Sequence, residues 1–301
     1  MTQERYINPY TDFGFKKLFG TELNKDLLMS FLNALFNGQE VIRDVTYLNS
    51  EHFGDSYRNR KAIFDVYCEN EQGEKFIVEM QKAEQDYFKD RSIFYATFPI
   101  REQAPRGDWD FQLKAVYTVG ILNFVFPDDE YSEECFHHEV KLMDTQDKHV
   151  FYDKLTFVYL EMPKFNKTES ELVTMFDKWL FVLRNLSRLM ERPAALQERI
   201  FTKVFEQAEI AKYAPADRRE YTESLKDYWD YYSVMRTSED RGIQIGKEEG
   251  RKEGIQIGEK RGVEQEKKET ILRLSQMGLS VEQIASGANV PVEKVREILD
   301  L

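Results

Sequence analysis

The chain has few of the residues that announce common chemistries. Two cysteines, Cys68 and Cys135, in 301 residues give no disulfide framework and no zinc-ligand spacing. No stretch of 18 apolar residues is present, and the opening MTQERYINPY lacks the apolar core of a secretory leader. A soluble, cytoplasmic protein without membrane spans is therefore expected. P-loop, dinucleotide and Gly-x-Ser-x-Gly signatures are missing. Positive charge is in deficit too: 42 Lys and Arg face 54 Asp and Glu, for a net charge of −12. That balance argues against a molecule that draws in polyanions by its overall field, and leaves room for a locally basic groove or bound metal ions to meet nucleic acid.

What the chain does have is core-forming material. Hydrophobic residues make up 42% and aromatic residues 14%. A helix is expected through Leu28, Phe31, Leu32 and Leu35, with Gly38 as its C-terminal cap. Runs over 41–48, 62–69 and 75–81 read as a strand meander. A helix over 83–103 follows, stopped by Pro105-Arg106-Gly107, then strands over 115–126 and 154–161. Helices are expected near 169–190, 194–212 and 217–235. This order predicts a mixed α/β core of residues 1–165 followed by a helical layer over 166–237.

The remaining chain differs in kind. Gly242, Gly246, Gly250, Gly254, Gly258 and Gly262 recur at every fourth position, between Ile-Gln-Ile triplets and charged residues. On an α-helix such residues drift by roughly 40° per step and trace a slowly winding stripe. Each interior glycine costs about 0.8–1 kcal/mol relative to alanine. Residues 238–270 are therefore either a loose linker or a helix packed closely on another copy, and Ile243, Ile245, Ile255 and Ile257 favour a homo-oligomer. Residues 271–301 read as a small helix-turn-helix-like unit, with Ser280 and Gln283 forming a capping box.

The most informative stretch is Ile63-Phe64-Asp65-Val66-Tyr67-Cys68-Glu69, followed by Phe76-Ile77-Val78-Glu79-Met80-Gln81. If Glu71-Gln72-Gly73 is a three-residue hairpin loop with Gly73 left-handed, Asn70 faces Glu74 and Asp65 faces Glu79. Directly opposed residues have Cβ atoms about 4.5–5.5 Å apart, and Gln81 shares the face of Glu79. Two carboxylates so placed repel unless they titrate, splay apart or share a cation, and a hard divalent ion is the natural one to share. The same spacing also describes the polar outer face of a half-exposed hairpin. Asp12 either adds a carboxylate from the first helix or serves as that helix's N-cap. His137-His138-Glu139 beside Cys135 lacks a second ligand pair, and 128–134 reads as a solvated loop. Trp109, Trp179 and Trp229 are expected in the core.

Asp65 with Glu79-Met80-Gln81 resembles the D…ExQ variant of the PD-(D/E)XK nuclease motif, in particular that of the recombination-promoting nucleases, or PD-(D/E)XK nuclease family transposases. Similar to that family are also Thr11-Asp12-Phe13-Gly14-Phe15-Lys16-Lys17-Leu18-Phe19-Gly20, Arg91-Ser92-Ile93-Phe94-Tyr95, Gly107-Asp108, Tyr159-Leu160-Glu161-Met162-Pro163-Lys164-Phe165, the glycine tail and Gly278-Leu279-Ser280. The resemblance implies a restriction-endonuclease-like core with a mixed central sheet flanked by helices. It implies Mg²⁺, or Mn²⁺, held by Asp65, Glu79 and the Met80 carbonyl, and hydrolysis of DNA phosphodiesters at low sequence specificity in recombining or mobile DNA. Gln81 stands where the better-known motif has lysine and can only hydrogen-bond; Arg91 or Lys16 is then the source of positive charge. Arg58, Arg60, Lys61, Lys82, Lys89 and Arg91 would make the basic groove. The rival class is a nuclease-like fold that binds DNA or assembles a complex without cutting.

Overall fold

The computed structural model describes residues 4–38, 41–52, 62–104, 110–127 and 133–301. It divides into two compact units, Met1–Asp230 and Tyr231–Leu301. In chain order the elements are α1 (Asp12–Phe19), α2 (Lys25–Phe36), β1 (Val45–Tyr47), β2 (Glu51–His52), β3 (Ala62–Ile63), β4 (Val66–Asn70), β5 (Lys75–Gln81), α3 (Phe88–Glu102) and β6 (Val116–Leu122). Then follow β7 (His137–Met143), β8 (Val150–Glu161), α4 (Met175–Asn185), α5 (Arg199–Ala208), α6 (Pro215–Gln276), α7 (Val281–Ala288) and α8 (Val292–Leu299).

Six strands form one mixed sheet in the order β1-β4-β5-β6-β8-β7, and β2 and β3 form a separate two-stranded ribbon. The meander β1-β4-β5 is antiparallel, while β5, β6 and β8 run parallel. A strand that returns parallel needs a crossover, and α3 is the crossover between β5 and β6. This is the mixed sheet flanked by helices that the resemblance implies, and it fits the mixed α/β core read from the order of elements.

Alternation sorts the side chains onto two faces. Phe76, Val78 and Met80 of β5 point into the main core with Leu28 and Phe31 of α2, Trp179 of α4 and Phe201 of α5. Trp179 is fully buried, and its indole N–H donates to Ser30 Oγ at 3.1 Å. The opposite face packs under α3, where Phe88 meets Leu122, Phe126 and Tyr159, and Phe98 meets Phe64, Tyr67 and Ile77.

Several expectations need correction. The run over 62–69 is broken at Phe64-Asp65, so Ala62–Ile63 joins the small ribbon and only Val66–Asn70 enters the main sheet. β7 is a strand that the order above omits, because its exposed side chains on an edge carry no regular alternation. At the end of α2 the left-handed cap is Asn37 (φ 44°), with Gly38 following it. Trp229 is 53% exposed rather than core. Pro105-Arg106-Gly107, Gly107-Asp108, Trp109 and residues 128–132 of the acidic loop lie outside the described residues.

The glycine-rich stretch 242–262 lies within α6. In the second unit Ile271 packs with Ile284, Ala285 and Val295. The Ser280–Gln283 capping box is formed reciprocally, with Ser280 N–H donating to Gln283 Oε1 at 2.9 Å and Gln283 N–H donating to Ser280 Oγ. No helix among the described residues is long and apolar enough to cross a membrane.

Candidate active site

The hairpin joining β4 to β5 sets the geometry. Gly73 has φ +81°, a conformation that side chains with a Cβ rarely adopt, and its N–H donates to the Asn70 carbonyl at 3.0 Å. Asn70 N–H donates to the Glu74 carbonyl, so the loop is Glu71-Gln72-Gly73. The ladder pairs Val66 with Val78 and Cys68 with Phe76. One residue further puts Asp65 opposite Glu79, on the face covered by α3.

Asp65 lies where the strand breaks before β4. Its Oδ2 accepts the Met80 N–H at 2.8 Å, which ties the carboxylate across to β5. Glu79 is different. It is half-buried, and its carboxylate has no hydrogen bond or ion pair among the described residues. Beside it on β6 is Gly120, where an added Cβ would stand 3.2 Å from Tyr159 Cδ1 and 3.5 Å from Phe88 Cζ. Glycine here lets those rings close over the sheet next to Glu79.

Charge follows from that burial. Desolvation, and then the neighbouring Asp65 charge, push the Glu79 carboxyl up to about 8, against the opposing pull of Arg91. Burial also raises Asp65; the Met80 N–H opposes the rise and Asp12 adds to it, while Lys16 and Lys82 lower it. Strand alternation sends Lys82 to the other face, yet its charge still reaches Asp65. Tyr95 is raised by burial and then by the Glu79 charge, with Arg91 opposing the rise.

Gln81 has its side chain fixed at both ends. Its Nε2 donates to the Ala83 carbonyl at 3.1 Å, and its Oε1 accepts from Arg91 Nη2 at 2.6 Å. Arg91 comes from the first turn of α3, one turn before Tyr95, and also donates to Gln85 Oε1. Helical spacing puts Phe88, Arg91 and Tyr95 on one face, and the guanidinium lies 5.3 Å from the Phe88 ring centre and 5.7 Å from that of Tyr95.

Asp12 is the first residue of α1, not its cap. Thr11 is the N-cap and accepts the Gly14 N–H at 3.0 Å. Asp12 pairs with Lys16 at 2.9 Å, both roughly half exposed. It does not close with Asp65 and Glu79 into a three-ligand group. Among the described residues the group of that kind is Asp144, Asp147 and His149 in the β7–β8 turn. There Asp144 Oδ1 accepts the Gln146 and Asp147 N–H groups, the ordinary bonding of a turn aspartate.

Sequence reasoning missed a second polar cluster. Glu161, at the end of β8, is fully buried; its Oε2 accepts from Lys164 Nζ at 2.6 Å and lies 2.9 Å from His138 Nε2. His138 and Glu161 are 23 residues apart, so no local spacing announces the pair. The neighbouring His137 packs on Phe176, and Glu139 pairs with Lys141. A cavity of about 800 Å³ opens on the main-core face beside Phe36, His137 and Phe176, away from Asp65 and Glu79. Of the expected basic groove, Arg58, Arg60 and Lys61 lie outside the described residues; Lys89 is exposed, with its Nζ 4.9 Å from the Phe126 ring centre.

The donor set fits a divalent ion. Two opposed carboxylates, one of them lacking a hydrogen bond or ion pair among the described residues, are the hard oxygen ligands such an ion selects. Compared with known families, residues 9–238 match the model of the PD-(D/E)XK nuclease family transposases. No curated protein and no solved structure matches the chain.

Proposed function

Because the chain belongs to the PD-(D/E)XK nuclease family transposases, we propose that it is a metal-dependent DNA endonuclease that cuts phosphodiesters with low sequence specificity in recombining or mobile DNA. The observation that carries this reading is the Glu79 carboxylate, half-buried opposite Asp65 and without a hydrogen bond or ion pair among the described residues. Asp65, Glu79 and the Met80 carbonyl would hold Mg²⁺ or Mn²⁺. Such an ion makes water a stronger acid and offsets charge gathering on the phosphate being cut.

The chain's own residues have separate tasks. Asp65 and Glu79 would be the carboxylate ligands, Glu79 giving up its proton to serve as one, and the Met80 N–H holds the Asp65 carboxylate across toward β5. Gln81, neutral and anchored at both ends, neither accepts nor supplies a proton. Asp12 adds negative potential at the rim. Lys82 and Lys89 supply local positive charge for DNA, so a chain of net charge −12 needs no attractive overall field.

Residues 1–165 would form the nuclease core and 166–237 its helical layer. The stretch 238–270 would join copies of the chain, since Ile243, Ile245, Ile255 and Ile257 are each about half exposed along α6. The 271–301 unit would act as a cap, and the protein would work in the cytoplasm.

Gln81 in the lysine position supports a second reading, a nuclease-like DNA-binding protein without turnover. Plasmid nicking with Mg²⁺, Mn²⁺ or EDTA separates the two, run beside Asp65→Ala and Glu79→Ala. Metal-dependent nicking lost in both variants supports the endonuclease. Salt-sensitive DNA binding by folded protein with no nicking under any ion supports the second reading.

A further inference from the structure

Helix α3 brings beside the carboxylate pair a half-buried cation that makes no ion pair among the described residues. Arg91 has no carboxylate partner among the described residues; its hydrogen bonds go to two neutral amides, Gln81 Oε1 at 2.6 Å and Gln85 Oε1. Its Nε–H is buried and has no acceptor there. A guanidinium carries five N–H donors, and a half-buried one hydrogen-bonded only to neutral groups keeps donors and charge for a ligand. The rings of Phe88 and Tyr95 flank it at 5.3 and 5.7 Å, which fixes its place without cancelling its charge. Lys16, the other candidate, is committed to Asp12 at 2.9 Å on the surface.

We propose that Arg91, delivered by α3 and positioned by Gln81, supplies the cation that lysine provides in the better-known motif, and that its partner is the scissile phosphate. This inference rests on the endonuclease reading above. It also gives glutamine a reason to occupy position 81. A lysine there would stand against the guanidinium, whereas an amide oxygen accepts from it. Gln81 is thus a positioning residue, and Arg91 touches the substrate.

The test is cleavage and Mn²⁺ binding measured on the same full-length preparations. Arg91→Ala is expected to lower the cleavage rate about 10²–10³-fold, the usual loss for one transition-state donor, with saturable Mn²⁺ binding retained. Added guanidinium salt at non-denaturing concentration should recover part of that rate, which a packing defect would not permit. Gln81→Lys in the Arg91→Ala background should restore at least tenfold by rebuilding the ordinary motif. Gln81→Ala should fall about tenfold. A cleaving wild type with Arg91→Ala equally active overturns this inference and leaves the endonuclease reading intact. So does a loss in Arg91→Ala that neither guanidinium nor Gln81→Lys recovers. A folded wild type that binds Mn²⁺ but cuts nothing overturns both.

Discussion

Two acidic clusters lie on the α3 face of the same sheet, and the fold treats them in opposite ways. Glu161 at the end of β8 is fully buried and is met by Lys164, by His138 and by the Phe126 N–H. Burial alone would raise its carboxyl, yet those hydrogen bonds and the Lys164 charge hold it below the usual carboxylate range. Glu79, at the same sheet level as Gly120 and Tyr159, is met by another carboxylate and rises to about 8. A carboxylate used to hold structure together finds its cations within the chain. The one left opposite a like charge has no such partner among the described residues.

The largest effects should separate the clusters by kind. Asp65→Asn is expected to drop metal-dependent nicking below detection while the melting temperature without metal stays level or rises, because a repulsive partner is removed. Glu161→Gln should do the reverse. Breaking a buried ion pair costs about 3–5 kcal/mol, visible as a lower denaturation midpoint, while the surviving folded fraction still responds to Mn²⁺.

The pH dependence sharpens the contrast next. A carboxyl whose pKa is higher folded than unfolded binds more protons in the native state, so its contribution to stability is lost as pH rises. For Glu79 the window runs from its ordinary value of 4.5 to about 8. Urea midpoints in EDTA should fall across that range in the wild type, and the fall should shrink in Glu79→Gln. Glu161 has the opposite sign. Its lowered carboxyl gives stability that is present above 4.5 and lost as pH drops below it. The smallest effect is expected at the exposed turn: Asp144→Asn should cost about 1 kcal/mol or less of stability and leave nicking unchanged, since Asp144 bonds turn amides. Loss of nicking there would move the metal site away from the hairpin.

The sequence showed the hairpin well because three local rules agree on one register. Gly73 takes the left-handed position, Asn70 closes the loop on Glu74, and period-two alternation carries Asp65 to Glu79. The α/β core followed from the order of strand-like and helical runs, and the mixed sheet from the resemblance. What stayed hidden depends on distant partners. Whether Gln81 meets Arg91, or His138 meets Glu161, is set by where a helix crosses and which strands become neighbours. Edge strand β7 was hidden for a related reason, since a strand half in solvent needs no regular apolar pattern. Thr11 rather than Asp12 caps α1 because either residue type can do so, and only backbone geometry decides.

The central claim is that Asp65 and Glu79 share one divalent ion. Calorimetric titration of the folded full-length chain with Mn²⁺ near pH 7, repeated in two buffers of different ionisation enthalpy, tests it directly. The account predicts saturable binding that releases close to one proton, because Glu79 is protonated at that pH without the ion, and loss of both the binding and the proton in Glu79→Gln. Unchanged binding in Glu79→Gln, or no saturable binding by the wild type, would contradict it.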